Sequence, residues 1–243
     1  MRIVVASPPK MGNKWLKCLL GTLYGLKWLK GDDTPPSNPL QFKAWVDAGN
    51  FPDGTIFHQH CRYTPRMAGA IEAIPSHLVT IVRDPYDAFV SMYSWLQTRA
   101  VADTERGKQR RLARPRDAMI GKPLDDPAVL SFLAEAYGEQ IDHARDWVRS
   151  GRAVVVRYEG LAADAVGEVS GATDQLRPMP AAAIAAAVET CRADNMRQVS
   201  PKMAMHVRSG VVGDSRDRLS EPHLAIFRDQ YAAAIRALGY EVR

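Results

Sequence analysis

Cysteine is scarce in this sequence: Cys18, Cys61 and Cys191 are the whole supply. The number is odd, the three are far apart, and no C-x-x-C occurs. That pattern offers neither a disulfide framework nor a zinc site. No apolar run approaches the roughly 18–20 residues of a membrane span. The N-terminus opens on "RIVVAS" (Arg2–Ser7), without a basic stretch leading into an apolar one, so no secretory signal is read and a cytoplasmic protein is expected. No internal repeat is visible. Also missing is a Walker loop, G-x-x-x-x-G-K-[ST], so no serine or threonine is set up there to hold magnesium.

What is present is ordinary globular composition, 46% hydrophobic and 24% charged. At 243 residues the chain can bury a sizeable core, and it is read as one domain over 1–243. Its net charge of +5 favours an anionic ligand: a polyphosphate nucleotide, a nucleic acid or an anionic lipid. Short β-branched runs alternate with helical stripes. Strands are expected at Arg2–Ser7, Gly54–His60, His77–Val82 and Ala153–Tyr158. Helices are expected from Asn13, from Pro85, over Asp126–Ser150, over Pro180–Cys191, and after an N-cap at Ser220. The alternation argues for an α/β fold with a central, mainly parallel sheet flanked by helices. Ligands of such sheets sit at the carboxyl ends of strands. Three polar clusters fall at those ends: "SPPKMGNK", "HQHCR" and "RDPYD".

The first cluster is a strand, a tight polar loop and a helix start within fifteen residues. A helix N-terminus offers amide donors and the positive end of a dipole. Lys10 can reach a phosphate while the amides of Gly12, Asn13 and Lys14 cradle it. A capped turn with exposed lysines is the plainer alternative. In "VRDPYDAFVSMY" (Val82–Tyr93), Arg83 ends a strand and can take a bidentate hold on a second phosphate, with Ser91 adding a hydroxyl. Its plainer alternative is a capping network of Arg83 with Asp84 or Asp87.

"SPPKMGNKW" resembles the P-K-S-G-T-x-W loop of sulfotransferases that use 3′-phosphoadenosine 5′-phosphosulfate (PAPS), of the cytosolic and bacterial type. "VRDPYDAFVSMY" is similar to that family's V-R-[DN]-P-x-D-x-x-V-S-x-Y, and "VRSGVVGDSRDRLS" (Val207–Ser220) to its R-x-G-x-x-G-D-[WS]-x-x-x-[FL]. "VVVRYEGL" resembles its Y-E-D-L stretch. The matches keep the family's order and run from Val4 to about Ser220. The resemblance implies a P-loop NTPase-like three-layer sandwich. It implies that Lys10, Gly12, Asn13 and Lys14, with Met11 between them, hold the 5′-phosphosulfate. Arg83 and Ser91 would hold the 3′-phosphate with Arg208, Ser209 and Gly210. Trp15 and Tyr158 would flank the adenine. The departures are Met11 for the usual serine, Asn13-Lys14 for two threonines, and Ser209 where a basic residue is common. "CRADNM" (Cys191–Met196) resembles the adenine-side S-F-x-x-M only faintly.

Sulfuryl transfer needs a base for the acceptor hydroxyl and a cation for the leaving phosphate. Lys10 suits the second role. Among six histidines, His60 suits the first: "FHQHCRY" resembles the family's K-T-H-x-P-Y, whose histidine is the base. His58 falls at the assisting lysine, and strand alternation points it to the same side as His60. A hydrogen-bonded structural histidine is the plainer alternative for each. No metal is needed. Gln97–Asp125, which contains six basic residues within Glu105–Arg116, resembles in position the mobile loop over the family's acceptor site. A solvated basic segment is the alternative. The acceptor is expected to be a hydroxyl-bearing small molecule or natural product, met by Gln41–Phe51, Arg62–Met67 and Gln97–Asp125. Neither nucleic acid nor membrane is expected as a partner, and a homodimer stays open. A P-loop-type kinase or NTPase and a non-catalytic nucleotide-binding module are the competing readings.

Overall fold

The computed structural model describes residues 1–29, 35–100, 114–198 and 211–243. The chain divides into two compact units, Met1–Arg83 with His143–Met196, and Asp84–Asp142 with Arg197–Arg243. The first holds the whole sheet: β1 (Arg2–Ala6), β2 (Lys27–Trp28), β3 (Thr55–Gln59), β4 (His77–Val82) and β5 (Val154–Arg157). Their order is β2-β3-β1-β4-β5, and every pairing is parallel. Ile3, Val4, Val5 and Ala6 are all buried, as expected of a central strand covered on both faces. The four longer strands sit within a residue or two of their expected bounds. The two-residue edge strand β2 is an addition to them.

The helices of this unit are α1 (Asn13–Tyr24), α2 (Pro39–Asp47), α3 (Pro65–Glu72), α7 (Tyr158–Ala163), α8 (Ala165–Leu176), α9 (Ala181–Thr190), the end of α6 (Gly138–Ser150) and the start of α10 (Ala193–Gln198). Asn38 caps α2 by accepting from the amides of Leu40 and Gln41, and Thr64 caps α3 by accepting from Met67. Each cap precedes a proline at the first helical position, where a missing N–H costs nothing. Two of these helices fall in the expected acceptor segments. Gln41–Asp47 is helical, and Phe42 and Phe51 belong to the core with Phe57, Met67, Ile71 and Trp147.

Cys18 on α1 and Cys191 at the end of α9 form a disulfide, with Cα atoms 5.9 Å apart. This corrects the expectation of no disulfide. The two lie 173 residues apart, and only the packing of α1 on α9 brings them together. Cys61 is the free, buried cysteine.

The second unit contains α4 (Pro85–Ala100), a 3-10 turn (Pro115–Met119), α5 (Pro127–Glu135), the start of α6 and α11 (Glu221–Ala237). Its core is aromatic: Phe227 packs on Tyr86, Phe89, Tyr137 and Tyr231. Ser220 stands at the N-cap of α11 without a side-chain capping bond; its hydroxyl instead contacts Asp125 and His223. The centre of the basic segment, residues 101–113, lies outside the described residues. Its flanks are held: Gln97 bonds the Met119 carbonyl and the Gly121 amide at 2.8 Å each, and Tyr93 donates to the Lys122 carbonyl. No helix among the described residues is long and apolar enough to cross a membrane.

Candidate functional site

Parallel pairing puts the carboxyl ends of β1, β3 and β4 on one edge of the sheet. Ser7, fully buried, stitches them together. Its N–H donates to the Gln59 carbonyl. Its hydroxyl accepts from the Ile81 N–H at 2.9 Å. Its carbonyl oxygen lies 2.7 Å from Nδ1 of His60. A carbonyl only accepts, so Nδ1 is the donor of this bond, and in the neutral form of the ring the lone pair lies on Nε2. His60 is exposed at the strand end. The His58 ring is 5.4 Å from it, centroid to centroid, so the two histidines meet as strand alternation requires. Nothing in the sequence marks Ser7 for this role, because a small residue before two prolines reads only as a strand stop.

The loop after Ser7 turns twice through left-handed backbone. Lys10 has φ 70, the positive φ of a non-glycine residue, and Gly12 has φ 106. Such strain at a lysine persists only where its surroundings impose it. Asn13 donates its amide to the Pro8 carbonyl at 2.7 Å, closing the loop. Met11 is buried in the core. Gly12 caps α1, so the helix N-terminus and half-buried Lys10 and Lys14 share one short stretch, an arrangement built to attract an anion.

Arg83 follows Val82, and Tyr158 follows Arg157; those two strand residues are paired. The Arg83 guanidinium accordingly lies over the Tyr158 ring at 4.1 Å. Tyr158 also meets Trp15 edge to face at 5.6 Å. A Cβ on Gly12 would stand 2.7 Å from the Tyr158 ring. One buried tyrosine thus gathers Gly12, Trp15 and Arg83. Trp15 and Tyr158 stand too close for a base to slide between them. A purine would lie against this pair rather than inside it.

A third histidine joins this edge. His143, on α6, faces the Cys61 backbone, and Trp147 one turn later donates to the Cys61 carbonyl at 2.9 Å. Burial, with smaller repulsion from His60 and Arg62, pushes the His143 pKa down to about 4, so the ring stays neutral at pH 7. Its Nε2 is buried without a hydrogen-bond partner among the described residues. The sequence assigns His143 no role; it sits inside a helical stripe that also reads as plain core. Burial likewise pushes the Cys61 thiol up to about 12, which removes it as a nucleophile.

In the second unit, Asp84 caps α4 by accepting from the amides of Tyr86 and Asp87. Asp87, almost fully buried, accepts from Gly213 N at 2.6 Å and from Ser215 N at 3.0 Å. It thereby binds the third motif's loop to the helix that carries Ser91, which is half-buried two turns into α4. Arg208, Ser209 and Gly210 lie outside the described residues. The described residues contain no group of three or more metal-ligating side chains placed to hold an ion.

The chain matches a family model described as the sulfotransferase domain over residues 1–239. Among solved structures, mouse sulfotransferase SULT7A1 complexed with PAP matches with a TM-score of 0.71 at 17% identity, over 97% of this chain and 84% of the other. Retinol dehydratase in a complex with retinol and PAP matches at 0.62 and 14%, over 100% of this chain and 82% of the other. Retinol dehydratase with androsterone and inactive cofactor PAP matches at 0.59 and 13%, over the same shares. At these identities the likeness is one of fold. No curated protein matches the chain.

Proposed function

The chain belongs to the sulfotransferase family, and on that premise we propose that it moves a sulfuryl group from PAPS to the hydroxyl of a small-molecule or natural-product acceptor. The donor, when bound, supplies an activated sulfuryl group on a phosphate leaving group. The residues present fit it. The loop from Lys10 through Met11, Gly12 and Asn13 to Lys14 combines strained backbone, a helix N-terminus and two cations, which suits a phosphate end. Arg83, held on Tyr158, and Ser91 are assigned to the 3′-phosphate by their motif, with Arg208, Ser209 and Gly210. Trp15 and Tyr158 offer the aromatic face.

The observation that carries the mechanism is the hydrogen bond from His60 Nδ1 to the Ser7 carbonyl. It fixes the tautomer and leaves Nε2 to take the acceptor's proton as general base. His58 beside it orients the acceptor or the leaving group. Lys10 stabilises the charge that builds on the leaving phosphate. Neutral His143 adds no positive charge next to His60.

The test pairs ligand binding with turnover. A ligand at about 1,000 times its dissociation constant stabilises a fold by about 4 kcal/mol. A thermal shift with 3′-phosphoadenosine 5′-phosphate (PAP), much larger than with AMP and absent with Mg-ATP, is expected. A shift with Mg-ATP alone would overturn the reading in favour of a kinase. His60→Ala should abolish transfer while keeping the PAP shift. Near-wild-type turnover in that variant would remove His60 as the base.

A further inference from the structure

We propose that Arg243 is a positioning residue for recognition of the donor's 3′-phosphate, a claim that rests on the function proposed above. The observations lie within the second unit. The turn Gly213–Ser215 continues the third motif, and it is held from one side by the Asp87 carboxylate. From the other side Arg243 Nη2 donates to Ser215 Oγ at 2.7 Å. The same guanidinium stands 3.6 Å from Asp84 Oδ1, the group that caps α4. It also lies 4.0 Å over the Tyr86 ring, while the Arg243 main-chain N–H donates to the Tyr86 hydroxyl at 2.9 Å.

Each partner of Arg243 therefore belongs to the second or the third motif. Asp84 directly follows Arg83, and its cap starts the helix that bears Ser91. Ser215 ends the turn that the Asp87 carboxylate of α4 holds. Ser215 is 1% exposed and Tyr86 is fully buried, so the fork sits in a fixed cradle rather than on a loose surface. Arginine suits this position because its planar guanidinium stacks on the Tyr86 ring while Nη2 faces both Ser215 and Asp84, a stacking that a lysine ammonium does not reproduce. Arg243 thus ties the start of α4, the helix that bears Ser91, to the turn Gly213–Ser215, and acts on the phosphate through that helix.

The experiment compares two ligands that differ only by the 3′-phosphate, PAP and AMP, by titration calorimetry on wild type and Arg243→Ala. Arg243→Ala is expected to weaken PAP about tenfold and to leave AMP within about twofold, the size expected for one hydrogen bond to a charged group. The KM for PAPS should rise with kcat held at saturation. Equal loss for both ligands, or no loss for PAP, would overturn the proposal. Ser215→Ala cuts the same link from the other end with a smaller change in packing. It should show the same selective loss, and if Arg243→Ala does not fold, Ser215→Ala without that loss overturns the proposal by itself. Failure of wild type to prefer PAP over AMP would instead refute the donor assignment, so the two failures are separable.

Discussion

Gly12→Ala is the sharpest probe of the site's architecture. Gly12 has φ 106, in the left-handed region where a non-glycine residue costs of order 1–3 kcal/mol. The new Cβ would stand 2.7 Å from the Tyr158 ring and 3.1 Å from the Ile81 Cδ1. Ile81 can give at its flexible end. Tyr158 cannot turn freely: it is 6% exposed, with Trp15 on one side and Arg83 over its ring. Overpacking of this kind adds about 1–3 kcal/mol. A total loss of about 2–6 kcal/mol is expected, measured by urea unfolding. A double-mutant cycle separates the two parts. In a Tyr158→Ala background only the backbone cost should survive, so the effect of Gly12→Ala should shrink by at least about 1 kcal/mol. PAP affinity should fall in Gly12→Ala as well, because the displaced tyrosine carries Arg83. Wild-type stability in Gly12→Ala, or an undiminished cost in the Tyr158→Ala background, would refute the reasoning.

Two further predictions concern titration. The His143 pKa is lowered to about 4 in the fold against about 6.5 unfolded. Its neutral form is favoured by folding, so stability is full above pH 6.5 and is lost as pH falls from there towards 4, by up to about 3 kcal/mol. His143→Gln should flatten that slope in urea unfolding between pH 7 and 5; an unchanged slope would show that other groups dominate. Lys17 is almost fully buried, stands over Trp28 at 4.2 Å, and has its pKa lowered by burial to about 8. Its charged form is penalised in the fold, so stability should rise as pH climbs from 8 to 10.5. Lys17→Met should be more stable at pH 7 by about 1–3 kcal/mol and lose that rise; a less stable Lys17→Met would refute the burial argument.

Much of this site is legible in the sequence because its signals are local. β-branched runs ended by Ser7, His60 and Arg83 mark three strand ends, and parallel pairing then places those ends on one edge. The His58–His60 neighbourhood follows from the two-residue period of a strand. What escapes is non-local or too short to carry a pattern. Ser7 acts through its carbonyl and hydroxyl on two other strands, and nothing in its own surroundings announces that. Cys18 and Cys191 pair across two helices that lie far apart in sequence. Lys27–Trp28 is too brief for alternation to show. His143 sits in a helical stripe whose spacing says core, and its link to Cys61 appears only when α6 packs beside the end of β3. The capping signals of α2 and α3, Asn38-Pro39 and Thr64-Pro65, are present in the sequence but compete with the expectation of variable acceptor loops.

The departures of the first loop from its family pattern find a physical account in this packing. Where the family has a serine, Met11 is 1% exposed: core burial replaces a hydroxyl. Where the family has a threonine, Asn13 turns its amide inward to the Pro8 carbonyl and so fixes the loop's shape. The loop is then held by Asn13, by buried Met11, and by Gly12 against Tyr158. On the function proposed above, its hold on the donor would fall to main-chain amides, to Lys10 and to Lys14, which replaces a second hydroxyl with a charge. Charge-assisted contacts are about twice as strong as neutral ones, so the added lysine would offset part of what the missing hydroxyls gave. Donor affinity in this chain should accordingly be more salt-sensitive than in a loop built on hydroxyls. PAP titrations at low and high ionic strength, on wild type and Lys14→Thr, test this: the variant should show the shallower salt dependence, and equal slopes would refute the exchange of hydroxyl for charge.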